Sequence, residues 1–228
     1  MHPYNGWKGT IIGFKLSDGV RYSIGTATAA AIPVSGISNA DPAIVSATAH
    51  GLAAKAPFIL ASGWEDINDS VYRVGASPLT GSFALEGVDT LDTALYSPGA
   101  GGGSLIPITT WTEIPQIIDA NPSGGEQQFA DVELLSQKYG IKIPTRVSGA
   151  ALEFTLATDE KLPAWKVLAA VSKANKPVAI RKLSPGGTVS YGYGYFYLSP
   201  MSQDQKGNVQ TSKASLTTMR PFVTFDTV

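Results

Sequence analysis

The sequence predicts a mainly β protein, a β-sandwich or barrel with one flanking α-helix, into which a small β-barrel module is inserted. Three observations lead there. Short runs alternating apolar and polar side chains, bounded by clusters of Gly, Pro, Asn and Ser, recur along most of the chain, the pattern of half-buried strands separated by turns. Helical periodicity with a start and a stop signal occurs once, between Thr158 and Pro177. The short strands within residues 37–92 lie between two small-residue stretches, 25–31 and 97–104, and flanking linkers are what an insertion requires.

The first elements form a hairpin. Residues 10–16 and 20–24 alternate on either side of Ser17, Asp18 and Gly19, and an Asp-Gly pair between alternating arms signals a tight turn. In the module, residues 43–49 alternate up to a turn at His50 and Gly51, and Phe58, Ile59 and Leu60 follow Pro57. Residues 62–68 read as a polar turn carrying Trp64, the candidate surface aromatic of the module. Strands at 71–74 and 82–85 are separated by the breaker cluster 77–81. Strands this short and close suit a small barrel. The predicted organisation is a discontinuous host domain, 1–33 with 105–228, and a module with its linkers at 34–104.

The host resumes with a strand at 106–114. Asp119, Ala120, Asn121, Pro122, Ser123, Gly124, Gly125, Glu126, Gln127 and Gln128 then read as a long polar loop, since Asn-Pro and Gly-Gly pairs break regular structure. A loop of that length suits contact with another copy of the chain, and it is the candidate contact between copies. Strands follow at 129–135 and 149–156. Thr158 or Asp159 can cap the helix, Pro163 fits its first turn, and Asn175 with Pro177 ends it. Leu162, Trp165 and Leu168 share one face at helical spacing and are predicted core anchors. A strand at 177–183 precedes residues 189–198, where Tyr191, Tyr193, Tyr195 and Tyr197 share one face of the next strand. A polar hairpin at Lys206, Gly207 and Asn208 leads to a last strand at 216–225.

Composition narrows the function. The chain has 228 residues, 43% of them hydrophobic, enough for a sizeable core. Seventeen basic and eighteen acidic residues leave a net charge of −1, and charged residues make up 15% of the chain, against about 25% in a typical domain. Such a surface opposes contact weakly and favours self-association, and interfaces between copies are depleted in charge in the same way. No basic stripe of a nucleic-acid binder is visible. The absence of cysteine excludes disulfides, thiolate catalysis and cysteine-bearing metal sites. No apolar run approaches the roughly eighteen residues of a membrane span, so no membrane insertion is expected. Residues 1–5 lack the segments of a signal peptide, and synthesis and retention in a cytoplasm are expected.

No catalytic, cofactor or metal site emerges. His2 lies near the terminus, and His50, before Gly51, reads as a loop stabiliser. Ser190 is one place too far from Gly187 for a nucleophile elbow. Glu65, Asp66, Asn68 and Asp69 gather oxygen atoms, but Val71 stands where a calcium loop of the EF-hand type needs glycine. Residues 99–103 lack the Gly-Lys-Ser/Thr ending of a phosphate loop. The tyrosine row fits a platform for stacking sugars or bases or a face packed beneath other structure, and the lack of interleaved basic residues favours packing.

The host residues resemble a known family. The early hairpin, the Trp111 strand, Gly124-Gly125-Glu126, Leu162-Pro163-Ala164-Trp165 and the closing polar hairpin are similar to the major tail tube protein of long, non-contractile-tailed (siphovirus-type) bacteriophages, over most of residues 10–225. In the module, Asn39-Ala40-Asp41-Pro42, Ala49-His50-Gly51-Leu52, Ser62-Gly63-Trp64, Tyr72-Arg73-Val74 and residues 83–89 resemble a small β domain of phage tail proteins, itself similar to a non-catalytic β domain of ubiquitin-activating enzymes. The enzymes' cysteine chemistry does not carry over. The resemblance implies a tail-tube-type fold in a structural virion protein, not an enzyme and without cofactor. It would be made in the host cytoplasm and polymerise as stacked hexameric rings in the virion tail. Implied partners are further copies of the chain, a tape-measure protein inside the tube, tail terminator and tail-tip proteins, and DNA in transit without specific binding. A carbohydrate-binding adhesin, or another spike or baseplate component stacking sugars on Trp64 or the tyrosine row, is the alternative.

Overall fold

The computed structural model describes residues 18–133 and 138–226. The predicted strand at 10–16, His2 and the end of the strand at 129–135 fall outside them. The strands run β1 (Arg21–Thr28), β2 (Ile32–Val34), β3 (Gly36–Ile37), β4 (Ile44–Ser46), β5 (Pro57–Ser62), β6 (Ser70–Arg73), β7 (Ser82–Ala84), β8 (Gly103–Glu113), β9 (Ile117–Gly124), β10 (Gln127–Val132), β11 (Ile141–Val147) and β12 (Ala150–Ala157). One helix, α1 (Pro163–Ala174), precedes β13 (Pro177–Ser184), β14 (Thr188–Gln203), β15 (Thr211–Thr218) and β16 (Val223–Asp226). The protein is mainly β, as predicted. An eleven-stranded sheet in the order β6-β5-β8-β1-β13-β14-β15-β12-β9, with β16 on β14 and β2 on β8, curls into a half-barrel. Two small sheets, β3-β4-β7 and β10-β11, stand apart from it.

Alternation along the strands builds a core on each face of the large sheet. Ile24, Phe154, Ile180, Phe196 and Leu216 point to one face, where α1 covers them with Trp165 and Leu168. Ala179, Val189, Tyr191 and Phe225 point to the other, beneath Phe58, Leu60, Val71 and Leu85 of the 34–104 segment. Period two thus sends neighbouring residues into different cores. Gly194 lets two strands close up on the helix side, since a Cβ there would lie 2.1 Å from the Thr217 carbonyl oxygen.

The helix departs from its expected cap. Leu162 occupies the N-cap position with no side-chain hydrogen bond, and Pro163 opens the helix. Thr158 Oγ1 instead pairs with Ser212 Oγ at 2.8 Å, and Asp159 Oδ1 accepts from the Lys161 amide. Proline's fixed φ and the loss of a donor that has no partner anyway make the start without a polar cap. Asn175 closes the helix in the left-handed region at φ 47°.

Segment 34–104 is bonded into its surroundings. β5 pairs with β8 from Phe58 opposite Pro107 to Ser62 opposite Gly103, so the large sheet continues through the segment. The stretches expected as linkers are ordered: residues 25–28 end β1, and 103–104 begin β8. A cation-aromatic ladder adds to the join. The Arg73 guanidinium binds the Glu86 carboxylate, donates to the Asp226 carbonyl at 2.9 Å and lies 4.6 Å above the Phe225 ring. Phe225 meets Tyr191, and Tyr191 meets Trp111, in tilted ring contacts, and the Arg181 guanidinium lies 4.8 Å above the Trp111 ring.

Burial also sets an alkaline limit. Desolvation pushes the Tyr72 hydroxyl from 10.0 up to about 12 and raises Tyr22, Tyr191 and Tyr193 in the same direction. The unfolded chain ionises these phenols first, so their contribution is whole below pH 10.0 and is lost at higher pH, for Tyr72 as pH rises through about 12. Melting temperature is expected to hold on the acid side of that window and fall steeply within it. A curve flat through the window would show that these hydroxyls are not shielded.

Candidate self-assembly surface

The ten residues expected as a loop are two strand ends and a turn. Asp119 through Gly124 belong to β9, and Gln127 and Gln128 open β10. Among the described residues β9 is the last strand of the large sheet, paired to β12 on one edge and to no strand on the other. An outer strand accommodates Pro122 because its open side needs no donor, so Asn-Pro does not break this strand. Gly124 and Gly125 make the turn at φ 72° and 75°, where a side chain would be strained. Glu126 and Ser148 brace it: the Glu126 amide donates to Ser148 Oγ at 3.0 Å, and the Ser148 amide to the Glu126 carbonyl at 2.9 Å. All ten residues are exposed except half-buried Ala120.

β10 and β11 continue from that turn as a two-stranded ribbon outside the large sheet. Every described ribbon residue is exposed except half-buried Val132, and Phe129, Ile141, Ile143 and Val147 are each about half exposed or more, from 47% to 56%. The register sorts the side chains. Ala130 opposes Ile143 and Val132 opposes Ile141, so these four share one face; Asp131 opposes Lys142 on the other, 3.9 Å apart. Sequence reading missed β11, although Ile141, Ile143, Thr145 and Val147 alternate with Lys142, Pro144 and Arg146.

The tyrosine row is split. Tyr191 is buried, Tyr193 half-buried, and Tyr195 and Tyr197 are 43% and 55% exposed. The open face they begin continues across β15, β12 and β9 with Ser215, Thr217, Glu153, Thr155 and Asn121. Lys213 lies on that face and donates to Thr155 Oγ1 at 2.9 Å. The surface is polar and nearly free of net charge.

Trp64 is not a surface aromatic. Only 3% of it is exposed, its Nε1–H donates to the Ser97 carbonyl at 2.8 Å, and its ring meets Tyr96 edge to face at 5.2 Å. The glycine run at 99–103 allows this: a Cβ on Gly101 would touch the indole at 3.0 Å. Tyr96 in turn donates to Asp66 Oδ2 at 2.6 Å, and burial followed by that hydrogen bond raises its ionisation far above the usual range. The neighbouring polar residues are similarly engaged, Glu65 with Arg220 and Asn68 with the Ser62 amide and Asp69. Among the described residues no group of three or more His, Cys, Asp or Glu is placed to hold a metal ion. His50 is buried on Phe83, its Nε2 bonded to the Leu79 carbonyl and its Nδ1 to the Leu52 amide. Trp165 and Leu168 are buried and Leu162 half-buried in the core beneath α1.

A family model described as phage tail tube protein matches residues 62–225, more than half of the chain. A comparison with curated proteins returned no match.

Proposed function

The chain belongs to the phage tail tube protein family, a structural family of the virion tail, and from that premise we propose that its copies close into six-membered rings that stack as the tail tube. The family match over residues 62–225 carries this reading. A β9 edge without a strand partner among the described residues and a weakly charged surface support it, because joining copies would cover such an edge and little charge opposes dense packing. The tube is of the long, non-contractile type. It encloses a tape-measure protein during assembly in the host cytoplasm, ends on terminator and tip proteins, and conducts DNA. Passage without sticking requires few phosphate contacts, which suits a chain of net charge −1. Residues 119–128 contribute to the contact between stacked rings. Residues 34–104, a module of the ubiquitin-activating-enzyme β type, stand on the outer wall, since a channel for DNA must stay clear.

Electron microscopy of concentrated protein should reveal hollow tubes of uniform diameter. A strict monomer at every concentration, with or without tail-tip proteins as initiator, would refute the reading. The adhesin alternative loses one platform through the burial of Trp64 and keeps exposed Tyr195 and Tyr197; sugar-dependent tyrosine fluorescence without tubes would favour it.

A further inference from the structure

We infer that the outer face of α1 in one copy docks on residues 89–95 of a neighbouring copy, lysines and small apolar side chains against leucines rimmed by carboxylates. This deepens the tube reading and rests on it. Its starting point is a charge separation that the whole-chain total conceals. Residues 34–104 hold seven acidic and two basic residues, a net charge of −5, while the rest of the chain holds eleven acidic and fifteen basic, a net charge of +4. Surfaces of opposite sign select each other and fix the register of a contact.

The acidic part presents a fixed apolar pair. Leu91 and Leu95 are 59% and 65% exposed, on a loop pinned from beneath. Buried Thr90 donates through Oγ1 to the Ser38 carbonyl at 2.7 Å, and Asn39 Nδ2 donates to the Thr90 and Tyr96 carbonyls at 3.0 and 2.8 Å. The Tyr96 amide donates to the Asp92 carbonyl at 2.9 Å. Asp89 and Asp92 lie on the loop itself, Asp41 follows Ala40, whose amide donates to Thr90 Oγ1, and Asp66 accepts from Tyr96. All four aspartates are exposed. Leucines held out to solvent by a loop this firmly bonded are preorganised for a partner.

The basic part presents α1. Lys166 and Lys173 stand two turns apart on one line of the helix, with Val167, Ala170 and Ala174 beside them; all five are exposed, and α1 has no acidic residue. Among the described residues neither lysine and none of the four aspartates enters an ion pair. The two surfaces therefore match in both respects, lysine to aspartate and Val167 with Ala170 to the leucines. Within one chain they belong to layers on opposite faces of the large sheet. A copy that gives its helix keeps its own 89–95 loop free, so the contact is heterologous and propagates beyond a dimer.

Tubes grown from a mixture of isotope-labelled and unlabelled chains, treated with a zero-length carbodiimide that joins a lysine amine to a touching carboxylate, test the docking. Mass spectrometry is expected to find labelled-to-unlabelled pairs linking Lys166 or Lys173 to Asp89 or Asp92. Well-formed tubes without such pairs would overturn it. Independently, Lys166→Glu combined with Lys173→Glu should keep the wild-type melting temperature, because both side chains are exposed in the single chain, yet reduce tube yield by about tenfold or more. Lys166→Arg with Lys173→Arg, which keeps the charge, should assemble normally. Wild-type levels of tubes from the glutamate variant would sink the inference while leaving the tube reading intact; no tubes from the wild type would sink both.

Discussion

Excising residues 34–104 and joining the cut ends through a short Gly/Ser link is expected to destroy cooperative folding, not to yield a smaller tube protein. The segment's side chains cover Val189, Tyr191 and Phe225 on the large sheet. Uncovering side chains of this size costs about 1.5–3 kcal/mol each, and their sum is comparable with the roughly 5–15 kcal/mol that holds a whole domain together. β8 would also lose β5 along Leu105, Ile106 and Pro107 and gain a new exposed edge. The Phe225 ring would lose the Arg73 guanidinium above it. The core under α1 contains no residue of the excised segment, so residual helix signal should persist without a sharp unfolding transition. Circular dichroism with denaturant titration distinguishes the cases. A monomer that unfolds cooperatively and still makes tubes would show that 34–104 is separable decoration.

The parts of the fold legible in the sequence were those governed by local pattern. Alternation marked β12, β13 and β14, and Pro163 with Asn175 bracketed the helix to within a residue. What failed depended on partners far away in the chain. Asn121-Pro122 reads as a breaker until β9 is known to lie at an edge of the sheet. Gly99 to Gly103 reads as a linker until Trp64 is seen packed against Gly101. Thr158 and Asp159 are good caps by type, but long-range pairing with Ser212 and the short turn to Lys161 occupy them. On the candidate surface, composition announced weak charge and self-contact, while the pairing of β10 with β11 required a register that no local signal supplies.

Trp64→Ala should destabilise the protein as severely as Trp165→Ala, each by about 3–5 kcal/mol, the usual cost of emptying a large buried aromatic site. Trp165 is 8% exposed beneath α1 among Leu168, Phe154 and Leu216, and its loss opens the layer between helix and sheet. Trp64 is 3% exposed in the other core, and its removal takes away more than volume. Tyr96 loses its edge-to-face partner, worth about 0.5–1.5 kcal/mol, and the Ser97 carbonyl loses its donor. The 62–68 turn and the 97–102 stretch both lean on that indole, so β5 and β8, which they adjoin, should loosen together. Trp64→Phe keeps an aromatic ring in the site without the N–H, and should recover part of the loss. Denaturant unfolding of the three variants, with tube formation scored alongside, decides the point. If Trp64→Ala were neutral while Trp165→Ala unfolded the protein, residues 34–104 would be a loosely held appendage and the shared core described above would carry little of the stability.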